Sequence, residues 1–286
     1  MNKKALVIFF IGLILSFIIF KITYKERIDY LALGDELVLG YTPFDSYNKS
    51  YSDYFSEYLK NKKKLGFYIN DFSEYNYDLK QLLEDMNDAK EMKHKDKKIN
   101  INQVISSSDI ITLSFGQKEL YVLLSKNYSG NLKNLDEIYK YIDNYFNDYA
   151  LLLNKIRKIN SNEIYIIGLY NPLVNANQET IIKLNQIFNY IDNRFKNFED
   201  NKNIYYVEIS KEMDNKNYYV PNSKNPYPSL EGYNYISNKL ICKVSKKCWF
   251  LYIFCYNTIW RNFYSYKLTM ARRDYEKGNT SRIKRM

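Results

Sequence analysis

Residues 30–40 read YLALGDELVLG, from Tyr30 to Gly40, and their reading decides the fold. Four apolar residues lead into Gly34-Asp35-Glu36, and a second short apolar run closes on Gly40. This is the pattern of a buried strand entering a tight turn, where glycine permits backbone angles other residues avoid. The strand is the first of five short apolar runs: 28–33 (IDYLAL), 66–72 (GFYINDF), 109–115 (DIITLSF), 163–169 (EIYIIGL) and 203–209 (NIYYVEI). They are rich in β-branched and aromatic residues and bounded by polar ones, as strands are.

Helical stripes lie between the runs. Tyr51, Tyr54, Phe55, Tyr58 and Leu59 share one face. So do Leu135, Ile138, Ile142, Tyr145, Tyr149, Leu152 and Ile156, and again Ile181, Leu184, Phe188, Ile191, Phe195 and Phe198. Such spacing marks core-facing helices, and residues 230–241 are expected to form a last one. Strands alternating with helices imply parallel βαβ units with right-handed crossovers, and hence a sheet covered on both faces. Ligand sites in such sheets lie at the carboxyl ends of strands. That singles out Asp35 and Glu36 after the first strand and Gly116 to Glu119 after the third. Residues 87–104, which contain His94, and 211–229 read as loops.

The chain has 286 residues, 31 of them Tyr, and a net charge of +10. The charge is uneven. Residues 241–286 hold 11 Lys/Arg and two acids, while the remaining 240 residues hold 31 bases and 30 acids. The basic character therefore belongs to the tail, and no finger, RNP-like run or basic recognition helix accompanies it. A nucleic-acid partner is not expected. Cys242, Cys248 and Cys255 all fall in the tail, at a spacing that fits no common zinc pattern. No metal and no cofactor are expected.

Residues 5–20, ALVIFFIGLILSFIIF, carry no charge. As a helix they span about 24 Å, and Lys21 to Tyr24 extend them toward bilayer thickness. No small-residue cleavage site follows, so an uncleaved anchor is expected, with the membrane as partner through residues 5–24. Positive charges nearly balance across the span, and a short N-terminal anchor leaves the larger domain outside the cytoplasm. The expected division is an anchor at 1–27, a domain at 28–241 and a basic aromatic tail at 242–286. For the tail, CWFLYIFCYNTIW (248–260) is short for a bilayer span. Three readings stay open: a membrane-interfacial segment, a helix packed on the domain, or a change of reading frame near residue 241.

Four stretches together resemble the SGNH, or GDSL-type, hydrolases. YLALGDELVLG is similar to the Gly-Asp-Ser-Leu block, DIITLSFGQKEL to the block ending in Gly-x-Asn-Asp, and IYIIGLYNP to the fourth strand of the lipase-like branch. NPYPSLEGYNYIS (225–237) is similar to the last block, where Asp-x-x-His-Pro precedes a closing helix. The resemblance covers residues 28–241 and implies a three-layer α/β/α, flavodoxin-like fold. It also implies a serine nucleophile, a histidine base with its aspartate, and an oxyanion hole from the serine amide, a glycine and an asparagine. Each of those positions differs here. Glu36 stands for the serine, Glu74 in FSEYNYDL for the glycine, Lys118 for the asparagine and Glu119 for the aspartate after it. Tyr227 stands for the histidine and Lys224 for its aspartate.

The chemistry follows from the substitutions. A seryl hydroxyl needs an adjacent base with a pKa near the working pH, and tyrosine at about 10 is a poor one. Carboxylates at an oxyanion position put negative charge where negative charge must develop. The expectation is an inactive relative that binds a glycan or lipid-like ligand in a pocket of Asp35, Glu36, Gly116, Glu119 and Tyr227. The rival expectation is an altered enzyme using Glu36 or Glu119 as acid, base or metal ligand. A third is an esterase whose base, His94, meets Ser73 or Ser114.

Overall fold

A computed structural model describes residues 27–245, apart from 174, 200–202, 214–217 and 223. The expected anchor at 5–24 and the tail segment 248–260 lie outside the described residues. Among those described, no helix is long and apolar enough to cross a membrane. The described residues up to Ile241 form one compact unit, and Cys242 begins a second.

The architecture is an α/β fold around a five-stranded parallel sheet. Its strands are β1 (Ile28–Gly34), β2 (Leu65–Ile69), β5 (Ile110–Ser114), β6 (Glu163–Ile167) and β7 (Ile204–Val207), in the order β2-β1-β5-β6-β7. β1 pairs with β5 in unbroken register from Tyr30–Ile110 to Gly34–Ser114. All five residues of β5 are buried, which is why its sequence shows no polar alternation. The two less regular apolar runs, at 66–72 and 203–209, supply the edge strands.

Side chains alternate across the sheet. Leu31 and Leu33 enter the main core with Ile111 and Leu113. That core takes the inner faces of α3 (Leu79–Asn87), α4 (Ile101–Ser107), α6 (Leu135–Arg157) and α7 (Gln178–Lys196). Tyr30 points the other way. Its ring meets Phe55 of α2 (Tyr51–Asn61) edge-on at 4.9 Å, and its hydroxyl bonds the Thr112 hydroxyl at 3.0 Å. Truncating a fully buried leucine such as Leu33 to alanine removes about 2–5 kcal/mol.

The loop reading of residues 87–104 is corrected, and helices α3, α4 and α5 (Gln117–Lys126) are additions to the expected stripes. Residues 87–104 contain an antiparallel hairpin, β3 (Glu91–His94) with β4 (Lys97–Asn100), followed directly by α4. Helix α5 follows β5 at once. The other elements are the single turn α1 (Glu36–Leu39), the single turn α8 (Ser210–Met213) and the last helix, α9 (Leu230–Ser245).

Candidate functional site

The strand-to-helix turn after β1 is forced by close backbone approach. A Cβ on Gly34 would lie 2.2 Å from the Ser114 carbonyl oxygen of β5. The ladder continues one step further, with Asp35 N donating to Ser114 O at 3.1 Å. Asp35 then caps α1, its Oδ1 accepting from Leu37 N at 2.9 Å. This satisfies one orphan donor of the turn and makes Glu36 the first helical residue. Glu36 thus stands at the end of the sheet, only 1% exposed.

The Glu36 carboxylate is held from two places, the loop before α3 and the start of α5. Its Oε1 accepts from the backbone amide of Asn76 at 3.0 Å and from Lys118 Nζ at 3.1 Å. Lys118 also donates to the Asn76 side-chain oxygen and lies 4.2 Å above the Tyr75 ring. Asn76 aims its amide inward because its backbone is left-handed, at φ 59°, a conformation asparagine tolerates better than most residues. Lys118 comes from the start of α5. Ahead of it Gly116, also left-handed at φ 91°, turns the chain out of β5. An amide N–H and an ammonium thus converge on one point, and the protein's own carboxylate occupies that point.

Two further acids crowd the same place. Burial, then the charges of Glu119 and Glu36, push the Asp35 carboxyl well above the usual carboxylate range. Burial and the neighbouring Glu36 and Asp78 raise Glu119 as well. Asp35 Oδ2, Glu36 Oε2 and Glu119 Oε2 are buried without a hydrogen bond of normal geometry. Burial pulls the Lys118 pKa down, but its hydrogen bond and ion pair with Glu36 carry it above the ordinary lysine value.

Tyr227 closes the site from the loop before α9. It is 3% exposed, and burial and the charges of Glu36 and Asp35 push its hydroxyl far above the normal phenol range. It faces Glu36 as an acid that does not ionise, so it cannot serve as a proton acceptor there. Its ring packs edge-on against Tyr41 at 5.1 Å, and Tyr41 meets Tyr75 at 5.6 Å. Tyr170 below donates to Pro226 O at 2.5 Å, fixing the Tyr227 loop. A groove of about 370 Å³ runs beside the site, lined by Asn76, Lys118, Glu119, Val122, Leu123 and Tyr141 among others.

Two of the sequence-derived positions lie elsewhere. Glu74 is half exposed and pairs with Lys90 at 2.6 Å, away from Glu36. The residues that reach the site from this loop are Tyr75 and Asn76, one and two places later. Lys224 is exposed, and its amide bonds the Asn222 side chain at 3.0 Å. Its neighbour Asn225 ties the loop to Thr42 and Asp45. The converging set is therefore Asp35, Glu36, Asn76, Lys118, Glu119 and Tyr227.

The pairing of His94 with a pocket serine is also corrected. His94 sits on the hairpin, its Nδ1 2.7 Å from Asp71 Oδ2. The Ser73 hydroxyl accepts from Gly34 N at 3.1 Å and donates to Ala32 O at 3.3 Å, so it serves as a brace for β1. Ser114 is buried beside Tyr51. Among the described residues, no group of three His, Cys, Asp or Glu is placed to hold a metal ion.

No protein-family model and no curated protein matches the sequence. Solved structures do. The lipase Lip_vut3 from a goat rumen metagenome aligns with a TM-score of 0.62 at 18% identity, covering 76% of this chain and 97% of that one. Axe2, an acetylxylan esterase from Geobacillus stearothermophilus, aligns with a TM-score of 0.52 at 11% identity, covering 77% and 95%. At such identities the likeness is one of fold. The chain has an SGNH-hydrolase-like α/β fold, structurally similar to lipases and acetylxylan esterases.

Proposed function

We propose that this chain is a membrane-anchored, SGNH-hydrolase-like protein of the cell envelope that binds a ligand and does not hydrolyse esters. One observation carries the reading: the Glu36 carboxylate accepts the Asn76 amide and the Lys118 ammonium. An ester's developing oxyanion needs donors of that kind, and here they are already committed to an anion. Tyr227, which stands where the resemblance puts the histidine base, holds its proton against Glu36 and Asp35. The ligand in view is a glycan. Tyr41, Tyr47 and Tyr75 form a connected group of rings at the mouth of the crevice, with Tyr47 58% and Tyr75 49% exposed. Flat aromatic faces beside amide and carboxylate groups suit the alternating apolar and hydroxyl faces of sugars. The apolar segment 5–20 supports the anchor, and its place before the domain supports an extracytoplasmic position.

A second reading, a hydrolase of carboxylate mechanism, has the raised pKa of Glu119 beside Glu36 in its favour. The ion pair of Glu36 with Lys118 opposes it. One assay decides between them. The purified full-length chain is expected to leave short-chain acyl esters and acetylated xylo-oligosaccharides unchanged above buffer background. Turnover that disappears in Glu36→Ala or Glu119→Gln would overturn the binding reading.

A further inference from the structure

The opposite end of the sheet has another character. The chain enters the described fold at Arg27, and Ile28 starts β1. Beside it the turn from α2 into β2 carries Lys60, Lys62, Lys63 and Lys64, all exposed. The two segments are stitched together, since Ile28 N donates to Lys64 O at 2.6 Å and Ile28 pairs with Leu65. Lys158 and the 39% exposed Ile159 close α6 at the same end of the sheet. Among the described residues, none of these lysines forms an ion pair.

Two acids at this end, Asp29 and Asp109, accept from backbone amides. Asp29 Oδ1 accepts from Phe67 N at 3.0 Å, and Asp109 Oδ2 accepts from Asp29 N at 2.8 Å. Glu163 takes the Tyr165 hydroxyl at 2.9 Å. Lys60, Lys62, Lys63, Lys64 and Lys158, with Arg27, outnumber the acids Asp29, Asp88, Asp109 and Glu163 at this end, and together they make a face with an excess of positive charge. It belongs to a domain whose net charge outside the tail is close to zero.

We infer that this face, Arg27 with Lys60, Lys62, Lys63, Lys64 and Lys158, rests on the anionic headgroups of the bilayer that holds the anchor. The inference rests on the anchored reading proposed above. Two observations choose a lipid surface as the occupant. The first is charge: clustered lysines next to a membrane segment are attracted to anionic lipid, within a range of about 10 Å at 0.1 M salt. The second is where the chain goes. Only seven residues separate the apolar run ending at Phe20 from Ile28. Fully extended, that link reaches about 25–30 Å, so the end of the sheet bearing Ile28 is tethered near the bilayer. Lys21, Lys25 and Arg27 in the link, offset in part by Glu26, add to the same charge. The crevice lies at the other ends of the strands and therefore opens away from the lipid. This favours a ligand from the space beyond the membrane over a lipid from within it.

The test uses the full-length chain reconstituted into vesicles of phosphatidylcholine alone or containing phosphatidylglycerol. Amide exchange is followed at residues 60–65, with residues 224–230 at the crevice as the internal control. Exchange at 60–65 is expected to slow about tenfold in phosphatidylglycerol vesicles. The protection should vanish in high salt and in the triple variant Lys62→Glu/Lys63→Glu/Lys64→Glu, with the control unchanged. Flotation with the vesicles reports anchoring separately. A chain that floats but shows equal exchange in both lipids overturns this inference and leaves the anchor standing. Failure to float with either vesicle ends both readings. Equal protection by inorganic phosphate without vesicles would make the face a soluble-anion site and overturn the lipid assignment.

Discussion

The two ends of one parallel sheet solve the problem of charge in opposite ways. At the carboxyl ends of the strands, three acids are crowded into low exposure and one is neutralised by Lys118. There the charge is spent inside the protein. At the amino ends, exposed lysines project without ion pairs among the described residues, and Asp29 and Asp109 accept from backbone amides. There the charge is left for something outside. A fold of this type imposes the first arrangement only weakly and the second not at all, since both rest on side chains the sheet does not need. A crevice set by the architecture is therefore not by itself a reaction centre. Its chemistry depends on whether its donors are free, and in this protein they are taken.

The largest effect in this comparison is expected at the acidic end. Glu36→Ala leaves the Asn76 amide and the Lys118 ammonium facing a small cavity. Removing one partner of a buried pair costs about 3–5 kcal/mol, reduced here to about 2–3 because Lys118 is partly exposed. Denaturant midpoints would measure it. A loss under about 0.5 kcal/mol, the size of a surface change, would break the contrast between the two ends.

A second effect concerns pH. Asp35 binds its proton more tightly folded than unfolded, because burial and then Glu119 and Glu36 raise its pKa. The folded state then holds more protons, so this group's contribution falls as pH rises from its unfolded value of about 4 through its raised folded value. Asp35→Asn keeps a side-chain oxygen for the Leu37 amide and removes the titration. It is expected to raise the melting temperature at pH 8, with the gain shrinking toward pH 4. A gain that grows on acidification would contradict the sign.

The smallest effect belongs to the basic end. Single changes of Lys62, Lys63 or Lys64 to glutamine should shift stability by no more than about 0.5 kcal/mol, because each is exposed and forms no ion pair among the described residues. A larger loss in thermal unfolding would mean that these lysines are structural after all.

The sequence makes much of this fold legible, for reasons that also mark its limits. β1 and β5 are readable because strands buried on both faces show unbroken apolar runs, and α6 is readable because its stripe runs over 23 residues. The β3–β4 hairpin is not. Its strands are four residues each and Lys-rich, with Met92 and Ile99 their only core-facing apolar side chains, and its turn uses Lys95 and Asp96 at positive φ, a pair without the usual Asn-Gly signal. Helix α5 is short, with Leu120 and Leu124 its only fully buried apolar residues. At the site, Asp35, Glu36, Lys118 and Glu119 could be placed because they follow strand ends directly. Glu74 and Lys224 lie off the site because they sit in loops, where a shift of one or two residues redirects a side chain. Asn76 carried one usable signal, its tolerance of a left-handed backbone.

The central claim is that Glu36 occupies an anion cradle formed by the Asn76 amide and Lys118. Formate titrated into Glu36→Ala, read by thermal unfolding against chloride at equal ionic strength, tests it most directly. Formate is expected to stabilise the variant in a saturable way and to leave the wild-type chain unaffected. Equal response of the two proteins, or none in the variant, would contradict it.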